Sequence, residues 1–159
     1  MQVVRITEPN PRLALEVQEL FAAEGIPAPP FEEAACFAVF DSHGSVEGAA
    51  FVSVADDVVL LRAVVVRTAS RKKGLGSALV SHILSQCSRT HEELYLVAAR
   101  EQGFFERFGF KEVPRENHRE ASAAAARFGT QADEDAPFMV IDLLRGRENQ
   151  RSEGRQRDA

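Results

Sequence analysis

The sequence predicts a single α/β domain built on a mixed, twisted sheet with helices on both faces. Apolar β-branched segments alternate along the chain with segments that are apolar at helical spacing. Residues 58–84 read as a strand, a basic glycine-containing turn and a helix in succession. The length of 159 residues lies in the usual range for one domain with a sizeable core.

The N-terminal part predicts a short strand over residues 3–6 and a helix that opens at residues 9–11. One face of this helix is apolar at i, i+4, i+7 and i+8, and consists of Leu13, Val17, Leu20 and Phe21. Gly25 stops the helix. Residues 26–31 then contain three prolines, which lack a donor N–H, and this predicts a stiff surface loop.

Next, an antiparallel hairpin is predicted from strands at residues 35–40 and 46–54. The connecting residues 41–45 form a loop that contains Gly44, as hairpin loops of this length often do. A third strand over residues 58–66 is almost wholly apolar and β-branched, which indicates the central strand of the sheet.

The remaining elements are predicted from the same strand-like and helical patterns of apolar residues. A strand, a helix and a second strand in succession should leave the two strands parallel. The predicted elements are a helix over 76–88, a strand over 93–98, a helix over 102–108 ending at Gly109, a strand from 110, a helix over 122–128 and a strand over 137–144. The domain is therefore predicted over residues 1–144, and the arginine-rich residues 145–159 are predicted to be a disordered tail.

The net charge of −5 is unevenly distributed. Residues 145–159 hold five arginines against three acidic residues, so the body carries a net charge of −7 and one concentrated basic segment. This pattern favours a small polyanionic cofactor and argues against extended contact with nucleic acid. No apolar run reaches the length of about 18 residues that a membrane span needs.

Two cysteines, Cys36 and Cys87, lie inside apolar segments and are predicted to be buried thiols in a reducing compartment. The N-terminus lacks the features of a signal peptide, so a cytoplasmic location is expected. The four histidines share no metal-ligand spacing, and no metal is expected.

Residues 71–77 carry the most chemical information in the chain. A turn between a strand and a helix presents consecutive backbone N–H groups at the positive end of the helix dipole. Glycines let the backbone approach phosphate oxygens closely, and basic side chains add whole charges. The stretch consists of Arg71, Lys72, Lys73, Gly74, Leu75, Gly76 and Ser77. These features predict a site for a pyrophosphate-bearing ligand.

Two common phosphate motifs are excluded. A P-loop places its lysine directly after the second glycine, whereas the lysines here precede Gly74. A dinucleotide fingerprint needs a third glycine where Leu79 stands. The pattern that remains is R-x-x-G-x-G.

Together with Val64, Val65 and Val66, this pattern resembles the acetyl-CoA-binding signature of the GNAT family of N-acetyltransferases. Residues 104–113 resemble the later signature of that family, a short helix that ends at a glycine and leads into a strand. The resemblance covers residues 34–144. It implies that acetyl-CoA is the cosubstrate, that the backbone of the three valines pairs with the pantetheine arm, and that residues 71–77 bind the diphosphate.

The resemblance is incomplete at the catalytic acid. Many members place a tyrosine where this chain has Phe104 or Phe105, and the only tyrosine is Tyr95. We expect Tyr95 to be a packed strand residue, and a thiolate can also leave without an acid. Candidate bases are Glu32, Glu33 and Glu47, of which Glu33 enters the predicted site; water is an alternative proton acceptor.

Arg62 interrupts the apolar central strand, where an arginine needs an acidic partner or a cleft. It is either a structural salt-bridge residue or a bidentate clamp for the carboxylate of an acceptor, with Arg100 and Arg115 as further candidates. The chain also resembles the small amino-acid and arsenic-resistance N-acetyltransferases. This implies a small, carboxylate-bearing amine as acceptor, and a homodimer is common in the family. The alternative is a catalytically degenerate module that binds CoA as a sensor or partner.

Overall fold

The computed structural model describes residues 2–98, 100–128 and 135–144. Its strands form one seven-stranded sheet in the order β1-β2-β3-β4-β5-β7-β6. The strands are β1 Val3–Ile6, β2 Ala35–Phe40, β3 Val46–Ala55, β4 Val58–Val66, β5 Glu93–Val97, β6 Lys111–Glu112 and β7 Phe138–Asp142. The helices are α1 Pro11–Ala23, α2 Leu75–Cys87, α3 Gln102–Glu106 and α4 Arg119–Phe128, and short 3₁₀ turns lie at Thr68–Ser70 and Arg115–Asn117. The predicted α/β class with a mixed sheet is confirmed.

Most predicted elements agree with the structure within two residues at each end, and α4 is the main exception. The sequence predicts its start at Ser122, directly before a run of four alanines, but it starts at Arg119. Ala121, Ala124 and Ala125 are its buried residues, so its apolar stripe begins before the alanine run does. The 3₁₀ turn before it was not predicted, because a three-residue turn has no periodicity to detect.

Capping residues fix both ends of α1. The Asn10 side chain accepts a hydrogen bond from the Leu13 N–H at 2.8 Å, and a proline occupies the first turn. At the other end, the N–H of Gly25 donates to Ala22 O at 3.0 Å and the N–H of Ile26 donates to Phe21 O at 3.1 Å. This pair of bonds, with Gly25 at φ +69°, is a Schellman motif. The prediction that Gly25 stops the helix is confirmed.

The hairpin loop between β2 and β3 is closed by one aspartate. The Asp41 carboxylate accepts hydrogen bonds from the N–H of Ser45 at 2.9 Å and of His43 at 2.8 Å. These backbone donors hold the pKa of Asp41 below its usual range. Gly44 lies at φ +82°, the left-handed conformation that this loop requires.

By its contacts the chain divides into two compact units. The first comprises the residues up to Ser53 together with Leu61–Ile83, and the second comprises Val54–Leu60 and the described residues from Leu84 onward. Phe51 is central to the core of the first unit, with the rings of Phe21 and Phe31 against it edge-on at 5.3 and 5.6 Å.

The proline segment over residues 26–31 is more deeply packed than a surface loop. Pro29 is buried, and the side chains of Ile26, Ala28 and Phe31 are partly buried against the core of the first unit. The prolines therefore stiffen a segment that covers the core.

The core of the second unit lies between β5, β7 and α4. It contains Leu60, Tyr95, Phe138 and the alanine stripe of α4. Small residues let α4 lie close to the strands, and this explains why the helix is rich in alanine. The predicted tail over residues 145–159 lies outside the described part of the chain.

Candidate cofactor and acceptor site

The second half of β4 is less covered than the first. Val59, Leu60 and Leu61 are buried, as expected for the middle strand of seven. In the second half of the strand, Val65 is buried. The other side chains there are half-buried, and they are Arg62, Ala63, Val64 and Val66. A central strand is normally covered on both faces, so this partial exposure indicates an accessible edge or cleft along the first unit's part of β4.

The backbone of the basic turn, residues 71–77, has a shape that lets a ligand approach it closely. Gly74 lies at φ +79°, and Lys72, which is not a glycine, also lies in the left-handed region at φ +71°. A Cβ added at Gly74 would meet nothing within 4 Å, so the space beside this peptide is open. Left-handed residues in a tight turn direct neighbouring N–H groups to one side, and such arrangements bind anions.

Helix α2 begins directly after this turn. Its first i→i−4 hydrogen bond runs from the Ala78 N–H to Gly74 O at 3.0 Å. The N–H groups of Leu75, Gly76 and Ser77 precede that bond and so have no partner within the helix. These donors and the exposed lysines fit a diphosphate in their chemistry, because both supply positive charge to phosphate oxygens.

The seven predicted turn residues differ in what they can contribute. Arg71, Lys72, Lys73, Gly74 and Ser77 are exposed, and Gly76 is half-buried. Leu75 is only 3% exposed, so its side chain belongs to the core and only its backbone can face a ligand.

The predicted cationic cluster is partly neutralised. Arg71 forms an ion pair with Glu24, the residue at the C-terminal end of α1. Among the described residues, Lys72 and Lys73 form no ion pair. The structure therefore separates the three predicted cations into one that is paired within the protein and two that face solvent.

Three carboxylates that the sequence analysis did not place here surround the start of the turn. Glu24 Oε1 accepts a hydrogen bond from Thr68 Oγ1 at 3.3 Å, and Glu47 Oε1 accepts one from Ser70 Oγ at 3.2 Å. Glu16 Oε1 lies 3.8 Å from Arg67 Nη2 and also accepts the Val46 N–H at 2.8 Å. Glu47, a candidate base in the sequence analysis, thus has a local structural partner.

The charge of Glu33 acts on Arg62, the other candidate catalytic residue. The buried Ser53 hydroxyl donates to Glu33 O at 2.9 Å and fixes the end of the proline segment. Burial lowers the pKa of the Arg62 guanidinium, and the negative charge of Glu33 opposes that shift. Glu32 is exposed, as is Glu33. A carboxylate and a guanidinium from distant parts of the sequence are therefore electrostatically coupled in the first unit.

In the second unit, Tyr95 is a packed residue with polar partners. Its hydroxyl donates to Glu93 Oε2 at 3.2 Å, and it lies 3.0 Å from His118 Nδ1. Burial, and secondarily the charge of Glu93, raises the pKa of Tyr95 to about 12. His118 and Tyr95 are 23 residues apart in the sequence, so no local pattern linked the two residues.

Arg115, a further candidate clamp, has a structural position in the second unit. Its Nη2 donates to Ala136 O at 2.9 Å, and its guanidinium lies over the Phe138 ring at 5.4 Å. Arg100 is exposed.

The later signature, residues 104–113, covers most of α3 and the whole of β6. Phe104 contacts the rings of Phe105 and Phe108 at 5.1 and 5.2 Å, and Phe110 is buried. Gly109 lies at φ +106°, and a Cβ there would meet Ile141 Cδ1 at 3.5 Å. The predicted helix that ends at a left-handed glycine is confirmed.

Comparison with known proteins identifies the family. The model of the acetyltransferase (GNAT) domain matches residues 32–112, about half of the chain. The chain belongs to this family and is an acyl-CoA N-acetyltransferase that uses acetyl-CoA. No curated protein sequence matches the chain.

Solved structures with the same fold share little sequence with the chain. Rv2747 from Mycobacterium tuberculosis, solved in complex with CoA and NLQ, has a TM-score of 0.69 at 18% identity and covers 89% of this chain and 99% of its own. A ribosomal-protein-alanine N-acetyltransferase from Escherichia coli has a TM-score of 0.64 at 18% identity, over 89% of this chain and 93% of its own. An aminoglycoside 6′-N-acetyltransferase complexed with coenzyme A has a TM-score of 0.62 at 18% identity, over 90% of this chain and 97% of its own.

None of the helices among the described residues is long and apolar enough to cross a membrane. The described part of the chain contains no group of three His, Cys, Asp or Glu side chains that could hold a metal ion.

Proposed function

We propose that the N-terminus of α2 binds the diphosphate of acetyl-CoA. The observation that carries this proposal is the left-handed turn at Lys72 and Gly74, followed at once by helical N–H groups without intrahelical partners. In this assignment the N–H groups of Gly74, Leu75, Gly76 and Ser77 contact phosphate oxygens. Lys72 and Lys73 neutralise charge, and Arg71 acts mainly through the shape of the turn.

The pantetheine arm is assigned to the backbone of Val64, Val65 and Val66. An extended arm can pair with a strand through main-chain hydrogen bonds, and this part of β4 is the half that is incompletely covered. CoA is present in the structures of two proteins with this fold, which supports the assignment of the ligand. An amide of the same run would stabilise the oxyanion that forms during acyl transfer.

Arg62 and Glu33 are proposed to select a zwitterionic acceptor. The guanidinium of Arg62 suits the carboxylate of an amino acid, and the carboxylate of Glu33 suits its amine. In this assignment Glu33 would accept the amine proton, as a general base does. The resulting substrate class is a small amine that bears a carboxylate, such as an amino acid or an analogue. The resemblance to small amino-acid and arsenic-resistance acetyltransferases supports this class.

A thiol-release assay with a panel of amino acids, aminophosphonates and polyamines tests the proposal. We expect rapid release of CoA with carboxylate-bearing amines and slow release with polyamines. Cys36 and Cys87 are buried, and burial raises their pKa values to about 12 and 11, so the protein's own thiols add little background.

The assay separates the acceptor class from the cofactor assignment. Binding of CoA in calorimetry without turnover of any amine of the panel would remove the small-amine acceptor class and leave the cofactor assignment in place. Preference for polyamines would remove the acceptor assignment to Arg62 and Glu33. Absence of CoA binding would remove the proposed cofactor site itself.

A further inference from the structure

Glu24 occupies a position that its own helix does not favour. It is the C-terminal cap residue of α1, where the helix dipole carries partial negative charge and a carboxylate is unfavourable. Its presence there is accounted for by what it contacts outside the helix, which is the segment that leads into the basic turn.

One carboxylate joins two points of that segment. Glu24 accepts the hydroxyl of Thr68, in the 3₁₀ turn, and pairs with the guanidinium of Arg71, one residue beyond that turn. Its side chain is 23% exposed, whereas that of Arg71 is 49% exposed. The contact therefore holds Thr68 and Arg71, where the basic turn begins, against the end of α1. Part of Arg71 remains in solvent.

The backbone beneath Glu24 is itself fixed. The Schellman bonds of Gly25 and Ile26 close the end of α1, and Phe21 and Ile26 are part of the core of the first unit. The Glu24 carboxylate is thus attached to a rigid element, as a group that positions another must be.

We propose that Glu24 is a positioning residue for the cofactor turn. It holds Thr68 and Arg71 so that the left-handed residues Lys72 and Gly74 present the first N–H groups of α2 to the diphosphate. This inference rests on the proposed function, because it assumes that CoA binds at the turn.

If Glu24 competed with the cofactor instead of positioning the turn, its removal would change CoA affinity in the opposite direction. A carboxylate that merely competed with the cofactor for Arg71 would weaken CoA binding, and its removal would strengthen it. Removal of a positioning residue weakens binding instead. The direction of the change in the CoA dissociation constant therefore decides between the two roles.

The test uses Glu24→Gln and Glu24→Ala, with Glu19→Gln as the control. Glu19 is an exposed glutamate of the same helix. Calorimetry with CoA should show dissociation constants raised about tenfold for both Glu24 variants and unchanged for the control. The KM for acetyl-CoA should rise to a similar extent, while kcat and the KM of the acceptor stay within twofold of wild type.

A double-mutant cycle with Arg71→Gln completes the test. If Glu24 acts through Arg71, the double variant should bind CoA about as weakly as either single variant. A merely structural role would lower the melting temperature and kcat without changing the dissociation constant. Unchanged or tighter binding of CoA by Glu24→Gln would overturn the inference while wild-type binding still supports the proposed function. Failure of the wild type to bind CoA would overturn both.

Discussion

The ring of Tyr95 lies almost parallel to that of Phe138, with 5.4 Å between centroids and 14° between planes. The two residues are diagonal neighbours, since Tyr95 is opposite Val140 and Phe138 is opposite Val97 in the β5–β7 pairing. The relationship explains why the chain's single tyrosine is buried, and it bears directly on whether that tyrosine is a catalytic acid.

We expect Tyr95→Phe to preserve turnover. The substitution keeps the stacked ring and removes the hydroxyl that contacts Glu93 and His118. Loss of these hydrogen bonds should lower the free energy of unfolding by about 1 kcal/mol, while kcat stays within twofold of wild type. Denaturant titration and steady-state kinetics check the two parts. A fall in kcat of a hundredfold or more would show that the hydroxyl takes part in the reaction.

Gly76→Asp should weaken CoA binding at least tenfold. It places a side chain and a negative charge in the first turn of α2, where the diphosphate is proposed to lie. Calorimetry measures the effect. The control is Ser85→Asp, which adds the same charge at an exposed position about 13 Å further along the helix. Equal affinity for Gly76→Asp and wild type would contradict the cofactor assignment.

Arg62→Ala should raise the KM of the acceptor more than that of acetyl-CoA. The guanidinium is proposed to bind the acceptor carboxylate, so its loss affects one substrate selectively. Arg62→Lys should recover only part of the loss, because an ammonium group cannot form the bidentate pair. Initial rates with each substrate varied in turn give both constants. Arg5→Ala removes an exposed arginine of β1 and serves as the control.

A larger increase in the KM of acetyl-CoA than in that of the acceptor would rule out the clamp. Arg62 would then be a structural partner of Glu33, the alternative that the sequence left open.

The buried thiols predict a loss of stability at alkaline pH. Burial raises the pKa of Cys36 to about 12 and that of Cys87 to about 11. In the unfolded chain a thiol ionises near pH 8.5. Above that pH the unfolded state binds fewer protons than the folded state, so the free energy of unfolding falls as the pH rises. For each thiol, the free energy of unfolding can fall by at most about 1.4 kcal/mol per pH unit.

Denaturant titrations between pH 8 and pH 10 measure this slope. The double variant Cys36→Ala/Cys87→Ala should be less stable at pH 8, because it loses buried sulfur atoms, but its slope should be shallower. Parallel slopes for the variant and wild type would show that other groups cause the alkaline loss.

Local sequence patterns account for much of the fold and part of the site. The turn was predicted because Gly74 and the basic residues are contiguous, and Gly109 because a left-handed glycine commonly ends a helix. The ion pair of Arg71 with Glu24 was not predicted, because it depends on where the end of α1 packs. The coupling of Arg62 to Glu33 was missed for the same reason. An acidic residue at the C-terminal end of a helix was the one local signal that a distant partner exists.

The left-handed backbone at Lys72 and Gly74 also has a thermodynamic consequence. The bend is already formed, with the Ser70 N–H bonded to Arg67 O at 2.9 Å and the Ala78 N–H to Gly74 O at 3.0 Å. Association with a nucleotide-bearing molecule at such a bend would freeze few additional backbone torsions. Most of the conformational entropy cost of ordering this segment is then met when the chain folds, and a larger share of the contact energy remains as affinity.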